Sequence, residues 1–275
     1  MAWCPRQLVQ EWKAAWAAHT VPLQVFKIQD DTRRKGRVFV AVPRDQPDRI
    51  IVVFRGVTDN RYWESLRFWK TDFYGTRVHA GFLSNYRRLA GGLIQGIRQA
   101  LRAHPSIRRL TVQGFSMGGA LSQLAIVDLS RKFPQLCGSI VTFGSPRVGN
   151  KDFARKLFPR SVCGTSRRFT HRGDMVVHMP PKFLGYRHVA FETWNPDVSK
   201  GASEFALVSN CDTDRALGDN NRCSNAWGRR NFLPDHVEYL GVEFDKRRGC
   251  EIANPAALIN RHCDGNKCTS SISSM

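Results

Sequence analysis

Apolar positions along the chain recur in two alternating rhythms. Residues 38–42 and 50–54 read as strands, the second a nearly continuous apolar run of the kind found where both faces of a sheet are covered. From residue 81 to 103 the rhythm changes, and Phe82, Tyr86, Leu89, Leu93, Ile97 and Leu101 return at helical spacing until His104-Pro105 ends the run. A strand is predicted over 107–113, a helix over 117–133 and a strand over 140–143, with Arg168-Phe169-Thr170 read as the last core strand. Strand, helix and strand in this succession imply right-handed crossovers, so the expected fold class is α/β with a mostly parallel central sheet flanked by helices. At the N-terminus Leu8, Trp12, Trp16 and His19 fall on one face of an amphipathic helix. Residues 195–231 lose periodicity, are rich in Gly, Asn and Asp and carry two cysteines, which reads as a long functional or stapled loop.

With 275 residues, 42% of them hydrophobic and 11% aromatic, the chain can bury a substantial core. A chain of this size hides about three quarters of its unfolded surface, which excludes disorder and disulfide-only scaffolds. A single domain over residues 1–275 is expected, with a Ser-rich tail over 254–275 that frays. No uninterrupted apolar run of about 18 residues is present, so a spanning helix is not expected. The first twenty positions, broken by Arg6, Gln10, Glu11 and Lys13, lack the apolar centre of a signal peptide.

Charge sets the chain apart more than hydropathy does. Lys and Arg number 42 against 23 Asp and Glu, a formal net charge of +19. The basic residues come as pairs and triplets along the whole sequence, including Arg33-Arg34-Lys35, Arg87-Arg88 and Lys246-Arg247-Arg248, which describes a basic surface and not a basic tail. Such a surface attracts polyanions, among them anionic lipid, or serves solubility alone. No nucleic-acid motif accompanies the charge, and nucleic-acid binding is not expected. Eight cysteines form no Cys-x-x-Cys and have no finger-type partner, so no structural zinc or other metal is expected and disulfides or buried thiols remain.

The chemistry is concentrated in Gly114-Phe115-Ser116-Met117-Gly118, a Gly-x-Ser-x-Gly placed between an apolar strand and an amphipathic helix. A serine at a sharp strand-to-helix turn has strained backbone angles, and the flanking glycines remove the Cβ clashes that forbid the turn. A hydroxyl becomes a useful nucleophile only when a histidine accepts its proton and an acid orients that histidine. In the order serine, acid, histidine, Asp174 follows the last core strand and is the best-placed acid; Asp197, Asp212 and Asp214 lie in the polar loop, where solvated carboxylates are ordinary. His178 is too near Asp174 in sequence to come from a separate loop. That leaves His188, His236 and His262 as the base, with His188 also readable as a satisfied structural histidine.

At these residues the sequence resembles the class 3 lipases, the fungal-type triacylglycerol lipase and feruloyl esterase group of α/β-hydrolases. The likeness covers residues 23–250 and is carried by Ile51-Val52-Val53-Phe54-Arg55-Gly56, Val78-His79-Ala80-Gly81-Phe82, the turn at Ser116, Asp174-Met175-Val176-Val177-His178-Met179-Pro180-Pro181, and above all Thr142-Phe143-Gly144-Ser145-Pro146-Arg147-Val148-Gly149-Asn150. The resemblance implies Ser116 as nucleophile, Asp174 as orienting acid and His236 as base, with no cofactor. It implies an oxyanion hole from the backbone N–H groups of Val57 and Met117. At the Val57 position the family carries Ser or Thr, so the hydroxyl is missing here; an oxyanion donor is worth about 2.7–4 kcal/mol, and Thr58 is a candidate to compensate.

The same resemblance implies a lid over about residues 58–76, with Arg61, Trp63, Leu66 and Trp69 on it, and disulfides joining Cys211 to Cys223 and Cys4 to Cys250. Cys137 and Cys163 are expected as buried thiols, and Cys263 with Cys268 is left open. The implied activity is hydrolysis of acylglycerol esters through an acyl-enzyme at lipid interfaces, in a secreted or otherwise oxidising setting; a cytoplasmic location is the alternative. The expected partners are a lipid or ester substrate and an anionic membrane or micelle surface, with the protein a monomer. Phospholipase or feruloyl-type esterase activity is the alternative within the enzyme class. A weakened hydrolase that binds lipid or another polyanion through its charge is the alternative outside it.

Overall fold

The structure is a computed structural model that describes residues 6–10, 21–32, 36–56, 68–196, 207–208, 211, 219, 223–226, 234–240, 242–243, 263–264 and 267–268. A short helix α1 (Arg6–Gln10) precedes three strands, β1 (Leu23–Asp31), β2 (Gly36–Pro43) and β3 (Arg49–Phe54), joined as an antiparallel meander. A hairpin of β4 (Lys70–Phe73) and β5 (Thr76–His79) leads into the long helix α2 (Ala80–Ala103). Then come β6 (Arg109–Phe115), α3 (Met117–Lys132), β7 (Cys137–Phe143), β8 (Ser166–His171) and β9 (Glu192–Asn195). The central sheet has the order β1-β2-β3-β6-β7-β8-β9, and every pairing from β3 to β9 is parallel. This is the α/β-hydrolase arrangement.

Alternation along β2 shows how the sheet is covered. All eight of its residues are buried. Val38, Val40 and Val42 join the main core with Phe82, Leu89, Leu93 and Ile97 of α2 and most of α3, whereas Phe39 and Ala41 face a smaller cluster with Val9, Val25 and Ile28. Helix α2 is amphipathic, with buried positions three and four apart, and α3 is buried continuously from Met117 to Leu129. Arg131 and Lys132 close the last turn of α3, where cations complement the helix dipole.

Two strands depart from the sequence reading. β8 is not the last strand of the sheet, because β9 pairs with it in parallel from Arg168↔Glu192 to His171↔Asn195. β9 has no apolar run, since its buried Glu192 takes hydrogen bonds from Arg168 (3.2 Å), Thr170 (2.7 Å) and Ser224 (2.5 Å). β1 was missed because a bulge between Val25 and Lys27 breaks its two-residue period. The N-terminal amphipathic helix is described over Arg6–Gln10; Trp12, Trp16 and His19 lie outside the described residues. Among the described residues no helix is long and apolar enough to cross a membrane.

Candidate active site

β6 and α3 meet at a single residue. Ser116 has φ 57° and ψ −128°, a conformation rare for a residue with a side chain, and its N–H donates to the Phe143 carbonyl at 2.8 Å. The glycines around it are set by contact. A Cβ on Gly114 would lie 2.2 Å from the Gly118 carbonyl oxygen, and one on Gly118 would lie 2.3 Å from that of Phe54. A strained, non-glycine turn of this kind costs about 1–3 kcal/mol and persists only where packing imposes it. Here the strain lifts Oγ above the C-terminal edge of the parallel strands.

His236 reaches that edge from a turn of helix, α4 (Pro234–Val237), followed by β10 (Glu238–Tyr239), which pairs with β11 (Val242–Glu243). Its Nε2 is 2.9 Å from Ser116 Oγ and its Nδ1 is 2.8 Å from Asp174 Oδ2. Asp174 stands in the turn after β8, with its N–H donating to the His171 carbonyl. The acid accepts two further bonds, from the Val176 N–H to Oδ1 (2.8 Å) and from the Tyr239 hydroxyl to Oδ2 (2.5 Å). A carboxylate that receives the Nδ1–H fixes the tautomer and leaves the Nε2 lone pair directed at the hydroxyl proton of Ser116. Burial, together with the Asp174 charge, pushes the Tyr239 hydroxyl well above its ordinary pKa, so it stays a donor. All three groups are shielded, with Ser116 1% exposed.

The imidazole is also held by its faces and its backbone. Phe115 stacks on His236 with ring centroids 4.8 Å apart, and a Cβ on Gly144, where φ is +57°, would lie 3.0 Å from His236 Cε1. Asp235 anchors the turn by accepting from the Gly173 N–H at 3.1 Å, and its carbonyl lies 3.1 Å from His171 Nδ1. Sequence reasoning missed Tyr239, Phe115, Gly144 and Asp235 as supports, although each lies within or beside a segment it had singled out.

The family model described as Lipase (class 3) matches residues 51–184. The lipase of Rhizopus niveus is 33% identical over 205 residues, which cover 72% of this chain and 49% of that protein; the chain spans about half the length of that relative. The secreted mono- and diacylglycerol lipase A of Penicillium cyclopium is 29% identical, over 82% of this chain and 72% of that protein. The solved structure of lipase II from Rhizopus niveus superposes with a TM-score of 0.77 at 27% identity, covering 91% of this chain and 92% of that one. The chain belongs to the class 3 lipase family.

The segment that most marks this class 3 lipase, residues 142–150, is a brace between the site and the loops that carry it. Ser145 Oγ accepts from Gln123 of α3, and Val148 O accepts from the His79 N–H. Arg147 reaches the carbonyls of His178 and Pro180 on the segment after Asp174 and pairs with Asp219 Oδ1 at 2.8 Å. Asn150 Oδ1 accepts from the Phe153 N–H at 3.0 Å. Asp219 also accepts from the His188 N–H at 2.7 Å. Burial would raise the Asp219 carboxyl, but His188 and Arg147 hold it below the usual carboxylate range. His188, one of the three candidate bases, is buried with Nε2 2.5 Å from the Val177 carbonyl, and burial drives its pKa well below normal. It stands as a structural histidine beside the acid segment.

Met117 is the first residue of α3, so its N–H belongs to the helix terminus beside Oγ. Val57, Thr58, Arg61, Trp63, Leu66, His262, Asp197, Asp212, Asp214, Cys4 and Cys250 lie outside the described residues. Trp69, the last of the proposed lid positions, is 67% exposed. Cys211 and Cys223 are bonded, with Cα atoms 5.6 Å apart. Cys137 and Cys163 are also bonded, with Cα atoms 5.4 Å apart, and are not the buried thiols expected; Cys163 is exposed. The Gly164 N–H donates to the Gly138 carbonyl, which lays the segment before β8 against the start of β7 and brings the two cysteines together. Cys263 and Cys268 are directly paired in the antiparallel β12 (Cys263–Asp264) and β13 (Lys267–Cys268).

Proposed function

We propose that this chain is a secreted serine ester hydrolase that cleaves acylglycerols through an acyl-enzyme, at the surface of lipid substrate. The observation that carries the reading is the unbroken hydrogen-bond chain from Ser116 Oγ through His236 to Asp174. Oγ attacks the ester carbonyl as its proton passes to Nε2. Asp174, braced by Tyr239 and Val176, stabilises the imidazolium. The carbonyl oxygen becomes an oxyanion held by the Met117 and Val57 N–H groups, at the positive end of the α3 dipole. Collapse returns the proton from Nε2 to the departing glycerol oxygen. Water then attacks the acyl-enzyme, gives its proton to Nε2, and the fatty acid leaves as Oγ regains that proton.

Acylglycerol as the substrate class and an extracellular destination rest on the named relatives, and the two disulfides accord with an oxidising compartment. The assembled relay favours catalysis over a binding-only role. Ser116→Ala is expected to lower kcat on emulsified short- and long-chain triacylglycerols by four orders of magnitude or more. Wild-type protein that releases no fatty acid from either emulsion would overturn the reading.

A further inference from the structure

Outside the catalytic relay, a groove of about 420 Å3 lies where α2 begins, lined by Thr71, Ala80, Leu83, Ser84, Arg87 and Arg88. The Ala80 N–H donates to the Trp69 carbonyl, which fixes the start of β4 against the first turn of the helix. On the inner side of the next turn Asn85 donates to Met117 Sδ at 3.3 Å, so the groove sits at the nucleophile end of the sheet. Its lining carries two hydroxyls, two aliphatic side chains and two exposed arginines.

The charge on the groove is only partly offset. Helix α2 holds four arginines and no acidic residue in 24 positions. Arg87 has no ion pair among the described residues, and Arg88 has a loose one to Asp31 at 4.0 Å. The positive end of the helix dipole adds to this field. Close by stands an exposed apolar tip. Phe183 is 86% exposed, and Leu184 beside it is tied by its carbonyl to Lys70 Nζ at 2.5 Å, next to the exposed Trp69. A groove that offers hydroxyl and guanidinium donors beside aliphatic side chains, with exposed aromatic groups nearby, matches a phosphate at the boundary between lipid headgroups and acyl chains.

We propose that the groove binds the phosphate of an anionic phospholipid headgroup and so holds the catalytic edge of the sheet against an anionic lipid surface. This rests on the reading of the protein as an interfacial lipase, and it gives the net positive charge a local address. The test uses Ser116→Ala protein, which leaves vesicles intact, in co-sedimentation with phosphatidylglycerol and phosphatidylcholine vesicles. The parent is expected to prefer phosphatidylglycerol. Arg87→Gln with Arg88→Gln is expected to weaken that binding at least tenfold, as for two basic side chains at an anionic surface. Arg98→Gln with Arg102→Gln, which removes the same charge from the far end of α2, is expected to weaken it less than threefold, with circular dichroism and thermal unfolding matching the parent in both.

Equal losses from the two pairs would overturn the site in favour of diffuse attraction, as would no loss from the first pair. A thermal stabilisation by inorganic phosphate alone, as large as that by phosphatidylglycerol and abolished by the first pair, would reassign the groove to soluble phosphate and overturn the lipid. Triacylglycerol hydrolysis by the wild type is measured separately, so failure of the groove leaves the catalytic reading standing.

Discussion

Asp174 carries three donors on two oxygens, and Tyr239 supplies the shortest of those bonds. The tyrosine touches no reacting atom, so it is a positioning residue that acts through the acid. Tyr239→Phe is expected to lower kcat on a soluble ester about 3- to 10-fold with KM unchanged, and to reduce unfolding free energy by about 1–1.5 kcal/mol. Steady-state kinetics beside urea denaturation checks both. A change confined to stability would make the hydroxyl structural only. Motif and chain order singled out Ser116 and Asp174 but left three histidines open; the family resemblance chose His236, which is the one that lies within hydrogen-bond distance of both. Tyr239 was not legible as a brace: nothing in a sequence shows that a tyrosine three residues after the histidine folds back onto the same carboxylate. Nor does a sequence show that Phe115, the freely chosen residue of Gly-x-Ser-x-Gly, stacks on the imidazole.

Among the elements, α2 depends on how it starts. His79 caps it by accepting the Phe82 N–H on Nδ1 at 3.2 Å, which places the ring proton on Nε2, where it finds no acceptor among the described residues. The ring lies against Phe82 and within reach of Phe68 and Tyr186, and burial lowers its pKa to about 4. The unfolded chain therefore takes up this proton first as pH falls. The stability contributed by neutral His79 is fully present above about pH 6.5 and is lost as pH falls toward about 4, a change of about 3 kcal/mol. His79→Asn retains a capping oxygen and has no ionisation. Its unfolding free energy is expected to vary less than that of the wild type between these pH values, as measured by denaturant titration at each pH. Parallel curves for the two proteins would sink the assignment. Element type was legible where apolar residues recur at a fixed period or run nearly unbroken, as in α2, β2 and β3. It failed at β9, where the buried face is made of Glu192 and its partners, and at β1, where a bulge changes the period.

Across the whole molecule, covalent and ionic ties hold segments that the sheet alone does not. The bonds Cys137–Cys163 and Cys211–Cys223 close stretches separated by 26 and 12 residues. By chain entropy they stabilise by about 3.5 and about 3 kcal/mol. Incubation with dithiothreitol is expected to lower the unfolding midpoint in steps that Cys137→Ser with Cys163→Ser reproduces in part, as followed by circular dichroism. The first of these bonds was illegible because spacing alone does not show that the segment before β8 returns to the start of β7.

Arg147 bonds two separate later segments of the chain. It joins the segment after Asp174 to Asp219, while Asp235 and His236 complete the site from later still. During synthesis, then, the strands of the parallel sheet and Ser116 emerge first, and Asp174 meets its histidine partner only after residue 236 has left the ribosome. A nascent chain halted before residue 219 holds Ser116 and Asp174 without His236, and so lacks the hydrogen-bond chain on which the proposed hydrolysis rests.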